Sequence, residues 1–171
     1  MGSSAKKAFT LLEAMVSLLI VGILLAIAIP SIGSQIKSYQ VKEDIMMVEQ
    51  ILKEARNLAI TKSRTVYADF SEASVNHGES GGLIKVSQIN GRILTETALG
   101  KNVFFNQGSS TINGRRVIFN FHGQPVDSGG LTSGFTRSNN KITISYYNSR
   151  GVVKASKSLT VSPVTGTIER N

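Results

Sequence analysis

The sequence predicts an α+β protein in which one long N-terminal helix packs on a mostly antiparallel β domain. Three observations carry this expectation. An apolar block and then a one-sided apolar stripe fill the first third of the chain, and no Gly or Pro interrupts residues 34–62. Beyond Lys62 the chain turns to short alternating segments separated by Gly, Asn and Ser, the texture of strands and turns. No strand–helix–strand alternation appears, which argues against a nucleotide-binding α/β fold.

The helix begins in Lys6-Lys7-Ala8-Phe9-Thr10-Leu11-Leu12-Glu13 and runs uncharged from Ala14 to Ile36. At about 1.5 Å per residue, roughly 20 helical residues cross a bilayer core of about 30 Å, so this block is long enough to span one. Lys6 and Lys7, with no acid beside them, predict that the leading end stays cytoplasmic. Ala26-Ile27-Ala28 mimics the cut site of an ordinary secretory signal. The apolar run nevertheless continues through Ile29 and Pro30 to Ile32, so the helix is expected to be retained. Glu13 is the anomaly. A charge at membrane depth costs about 2.5–3.5 kcal/mol and by default marks a site with a partner. One solution is proteolysis before Phe9, which creates an α-amino group close to the Glu13 carboxylate. In an assembly, that amine would neutralise the glutamate of a neighbour. The other is a plain signal anchor with Glu13 near the wet surface.

From Gln35 the pattern becomes amphipathic. Val41, Ile45, Val48, Leu52, Ala55 and Ala59 recur at alternating spacings of four and three, one face of a helix. Lys42, Glu49, Lys53, Arg56 and Asn57 fall largely elsewhere around the wheel. One helix over roughly residues 9–62 accounts for both halves. Pro30 removes a backbone donor and predicts a kink near residues 26–30. Met46 and Met47 are expected to fill core.

The strands follow in order. Thr65–Phe70 reads as the first, then a glycine-rich turn at Gly78–Gly82. Leu83–Val86 and Arg92–Leu94 flank Asn90-Gly91, a hairpin turn. Asn102–Phe105 and Arg116–Phe121 are separated by a polar loop at 106–114. Lys141–Tyr147 alternates strongly, and Asn148–Gly151 turns the chain into Val152–Ala155. Leu159–Ser162 and Thr167-Ile168 close it. The resulting sheets are expected to pack on the helical stripe.

Site chemistry finds little support. With 171 residues and no cysteine, neither a disulfide framework nor thiolate chemistry is possible. His77 and His122 are the only histidines, and only His77 and Glu79 approach metal-ligand spacing, so no metal or other cofactor is expected. Ser109 and Ser110 have no evident base and orienter for a triad. Gly78–Gly82 lacks the Lys-Ser/Thr ending of a P-loop. The chain is not expected to be an enzyme. Charge is more informative: the net charge is +8, and Arg115, Arg116, Arg137, Lys141, Arg150, Lys154, Lys157 and Arg170 face only Asp127 and Glu169 in the last third. Such a surface would bind DNA phosphates with steep salt dependence, or remain solvated, or meet acidic neighbours.

Lys-Lys-Ala-Phe-Thr-Leu-Leu-Glu before a long apolar helix resembles the class III prepilin signal of type IV pilins and type II secretion pseudopilins. The resemblance implies a pilin lollipop and a cut by a membrane aspartyl prepilin peptidase between Ala8 and Phe9. It also implies N-methylation of Phe9 and an assembly role for Glu13, with Gly22 and Pro30 in a yielding segment. Two departures stand out: Ala8 occupies a position usually held by Gly, and the C-terminal disulfide of many pilins is absent. Ala55-Arg-Asn-Leu-Ala-Ile60, Val117-Ile-Phe-Asn-Phe-His-Gly123 and Val164-Thr-Gly-Thr-Ile168 resemble the GspH/FimT type. The implied organisation is a cleaved leader at 1–8, a transmembrane and assembly half at 9–33, and an extracytoplasmic globular domain at 34–171. The implied partners are other pilin or pseudopilin subunits, prepilin peptidase, an inner-membrane assembly platform, and membrane lipid before assembly. The location would be the plasma membrane and then a pilus or pseudopilus. Some FimT-like minor pilins bind DNA during uptake, which makes a DNA-binding minor pilin the alternative expectation.

Overall fold

The computed structural model describes residues 10–71, 81–106, 116–127, 130, 140–148 and 150–170, without the side chains of 28–32 and 34. The leader, Phe9, and the expected turn at 78–80 with His77 and Glu79 lie outside the described residues, as do Ser109 and Ser110. The helix α1 spans Leu11–Thr61. The chain divides into two compact units, Met1–Ile36 and Lys37–Asn171.

The first unit holds the start of the helix. There every described side chain from Thr10 to Ile27 is exposed, and Leu11 reaches 81%. Among the described residues, no helix is both long and apolar enough to cross a membrane. The described side chains of the apolar run stop at Ile27, whereas the sequence carries it on through Ile32.

The second unit is built on the stripe. Val41, Ile45, Val48, Leu52, Ala55 and Ala59 are all buried, as their 3.6-residue periodicity requires. Met47 packs against the same core, but Met46 is 41% exposed. The expectation for Met46 is therefore corrected: it directly follows the buried Ile45, and one step around the helix turns it outward.

Two antiparallel sheets supply the rest of the core. Sheet A contains β1 (Val66–Ser71), β2 (Leu83–Gln88), β3 (Ile93–Ala98), β5 (Arg116–Phe119) and β6 (Pro125–Val126), in the order β3-β2-β1-β5-β6. Sheet B contains β4 (Val103–Phe105), β7 (Lys141–Tyr147), β8 (Val153–Val161) and β9 (Ile168–Arg170), in the order β4-β7-β8-β9. Val66, Ala68 and Phe70 alternate inward from β1, and Ile142 and Ile144 do so from β7. The Phe70 and Phe105 rings, 5.0 Å apart, join the two sheets. Gly91, at φ 80°, makes the β2–β3 hairpin expected from Asn90-Gly91.

Several strand boundaries differ from expectation; β3, for one, runs on to Ala98 and not to Leu94. β5 stops at Phe119 because Asn120 closes a turn, its N–H donating to Gln124 O. The two-residue β6 carries too short a pattern to be read. Val152–Ala155 and Leu159–Ser162 are parts of one strand, β8, whose exposed middle (Ser156, Lys157) hides its continuity.

Candidate functional site

The start of α1 is capped locally. Thr10 Oγ1 accepts the N–H of Glu13 at 3.3 Å, and Thr10 O accepts that of Ala14 at 3.2 Å. Thr10-Leu-Leu-Glu13 thus has the spacing of a capping box, and the N-terminal end of the helix dipole favours a carboxylate in the first turn. Thr10 was not singled out from the sequence, although its spacing to Glu13 carried the signal. Glu13 is exposed and has no ion pair among the described residues. A Cβ at Gly22 would meet nothing within 4 Å, so no contact within the chain demands glycine there. The Pro30 side chain, Ala8 and Phe9 lie outside the described residues.

Arg116 pairs with Asp69, and its guanidinium lies 5.0 Å from the Tyr67 ring centroid. The strand register places Glu96, Lys85, Asp69 and Arg116 in one row across β3, β2, β1 and β5, with alternating sign. Arg170 pairs with helical Glu49 at 2.8 Å, and Lys53 approaches the same carboxylate at 2.6 Å. Lys141, Lys154 and Lys157 lie on sheet B, and Arg150 on the turn before β8. Arg115 and Arg137 lie outside the described residues. Two of the expected basic residues, Arg116 and Arg170, are thus paired with carboxylates.

Two features were missed by sequence reasoning. Asp44 is 4% exposed on the helix, and its two carboxylate oxygens lie 3.1 and 3.2 Å from the Gly100 nitrogen that donates to them. Burial pushes this carboxyl above the ordinary value of 3.8; the Gly100 N–H opposes the shift and neighbouring Glu43 adds to it. The second is a knot near the helix end. Arg56 Nε donates to Gly123 O at 3.1 Å, while a Cβ on Gly166 would collide with that same oxygen. Gly123 and Gly166 both have positive φ, at 74° and 67°. Thus three segments distant in sequence converge in space: Ala55–Ile60 supplies Arg56, Val117–Gly123 supplies Gly123, and Val164–Ile168 supplies Gly166. Their glycines serve a close backbone approach.

The His122 and Phe121 rings lie tilted at 42° to each other, with centroids 4.0 Å apart. Among the described residues no three His, Cys, Asp or Glu side chains form a metal-ligating group.

Residues 3–29 match the family described as the prokaryotic N-terminal methylation motif. A crystal structure of the type IV minor pilin FimU from Pseudomonas aeruginosa (strain PAO1) is similar to this chain with a TM-score of 0.50 and 12% identity, covering 78% of this chain and 89% of that one. A second crystal form of FimU gives 0.47 and 13%, covering 76% and 91%. No curated protein sequence matches significantly. At such identity the first likeness speaks for fold alone. The chain joins a prepilin-type N-terminal methylation motif to a type IV pilin-like α+β fold.

Proposed function

We propose that this chain is a structural subunit, a minor pilin or pseudopilin, of a type IV pilus or type II secretion pseudopilus. In this reading prepilin peptidase cuts between Ala8 and Phe9 and the new Phe9 amine is methylated. The helix of residues 9–33 then holds the chain in the plasma membrane until the assembly platform draws it into a fibre. One observation carries the reading: within the methylation motif matched over residues 3–29, an apolar helix exposes every described side chain from Thr10 to Ile27. On the insertion scale a Leu, Ile, Phe or Val gains about 0.3–0.6 kcal/mol, so roughly four to twelve such residues are needed to offset the roughly 2.5–3.5 kcal/mol that a Glu at membrane depth costs, and the run from Leu11 to Ile27 supplies them. Lipid covers this surface before assembly, and the helices of other subunits cover it afterwards.

Glu13 then has two successive roles. Before assembly its place in the first helical turn lets it favour the dipole and stay close to the interface. In the fibre it pairs with the methylated amine of a neighbouring subunit, and Gly22 and Pro30 let the helix yield during transfer. The test is fibre incorporation of Glu13→Ala and Glu13→Gln in the native assembly system. Both variants are expected to reach the membrane and be processed, yet to enter the fibre at a small fraction of the wild-type level. Wild-type incorporation of both would overturn the pairing role.

A further inference from the structure

Lys37 is the first residue of the second unit, and its Nζ lies 5.9 Å from the Tyr146 ring centroid. Tyr146 pairs with Val103 on β4 and Ala155 on β8. The N–H of the next residue, Tyr147, donates to Asn102 O at 2.9 Å. Three segments therefore meet at one end of this unit: the helix at Lys37, the β3–β4 turn at Gly100–Asn102, and the β7–β8 hairpin. The Arg56 knot marks the other end, about 28 Å further along the helix at 1.5 Å per residue.

The end at Lys37 is cationic with an apolar tip. Lys101, Arg150 and Lys154 are exposed and have no ion pair among the described residues. Of the two acids in the adjacent helical turns, Asp44 is buried against Gly100, which leaves Glu43 exposed. Between Arg150 and Lys154, Val152 and Val153 are 50% and 41% exposed. The hairpin is pre-organised: Asn148 Oδ1 accepts the N–H groups of Arg150 at 3.0 Å and Val152 at 2.9 Å, and Gly151 turns the chain at φ 71°. Its shape is held before any partner arrives.

We propose that this hairpin, with Lys37 and Lys101, is a contact surface for anionic lipid headgroups. The cations meet phosphates while Val152 and Val153 enter the boundary between headgroups and acyl chains. Nucleic-acid phosphates would attract the same cations, but they offer no apolar layer for a valine pair to enter. The place in the chain agrees, because Lys37 directly follows the uncharged segment that ends at Ile36. The inference rests on the membrane-held stage of the proposed function, and it adds a second foothold to that stage.

The chain has no native cysteine, so single labels are selective. The full-length protein carrying Val153→Cys, labelled with an environment-sensitive fluorophore, would be reconstituted into phosphatidylcholine vesicles or into equimolar phosphatidylcholine and phosphatidylglycerol. Ile89→Cys is the control; β2 pairing places Gln88 opposite Val66, at the far end of the unit. The expected result is a blue shift at position 153 with the anionic vesicles only. High salt should reverse it, Lys101→Glu/Arg150→Glu/Lys154→Glu should abolish it, and position 89 should show none. Equal signals in both vesicle types, or a response to duplex DNA in place of anionic vesicles, would overturn the proposal. Flotation reads the anchor separately. A chain that floats with phosphatidylcholine vesicles but shows no shift in anionic ones retains the anchor and loses this surface; a chain that does not float loses both.

Discussion

Asp44 shows how far a single side chain departs from what its neighbours in sequence announce. It lies between Val41 and Ile45 on a buried face, and its partner Gly100 is 56 residues away, so no local pattern could pair them. Its carboxyl is raised above 3.8 chiefly by desolvation, so the folded state holds this proton more tightly than the unfolded one. The sign follows: Asp44 costs stability at neutral pH, and the cost is relieved as pH falls through the raised value towards 3.8. Asp44→Asn keeps an acceptor for the Gly100 N–H and removes the charge. It is expected to match or exceed wild-type stability at pH 7 in urea melts, with the Asp44 part of the pH dependence gone. Asp44→Ala strands the N–H and is expected to cost about 1–3 kcal/mol. Gly166 was legible as part of a short resemblance, but its physical reason was not. Its positive φ and the approach of Gly123 O predict a loss of about 1–3 kcal/mol for Gly166→Ala, measurable by the same melts.

At the scale of elements, periodicity was the strongest signal and the structure follows it closely. The stripe from Val41 to Ala59 was readable because one helical face is buried along its whole length. Lys141–Tyr147 was equally clear, since its inward Ile142 and Ile144 alternate with neighbours on the other face. β8 reads as two pieces, because Lys157 interrupts the alternation of Val153, Ala155, Leu159 and Val161 in an exposed middle. The basic residues were visible in sequence, but their partners were not: Asp69 and Glu49 come from distant elements. Two magnitudes separate these effects. Leu52→Ala, at a fully buried position in the core cluster that holds residues of both sheets, is expected to cost about 2–5 kcal/mol. Glu49→Gln breaks two partly exposed ion pairs and is expected to cost no more than about 1 kcal/mol for each. Comparable losses would mean that the ion pairs, and not the stripe, hold the helix to the sheets.

For the molecule as a whole, the two units have opposite relations to water. Lys37–Asn171 contains a core of its own, whereas in Met1–Ile36 the described helical side chains from Leu11 to Ile27 are all exposed. The fold class was legible in the order of patterns: apolar block, one-sided stripe, then alternating strands. The proposed assembly is a different matter, because its contacts would lie between chains and leave only a motif and an exposed apolar helix to read. The central claim is that processing before Phe9 turns a membrane-held precursor into a fibre subunit. Its most direct test is the N-terminal mass of the full chain, purified from membranes that contain its own prepilin peptidase. The account predicts a protein that begins at methylated Phe9. An intact leader from Met1 in the presence of that active peptidase would contradict it and leave a membrane-anchored β domain in its place.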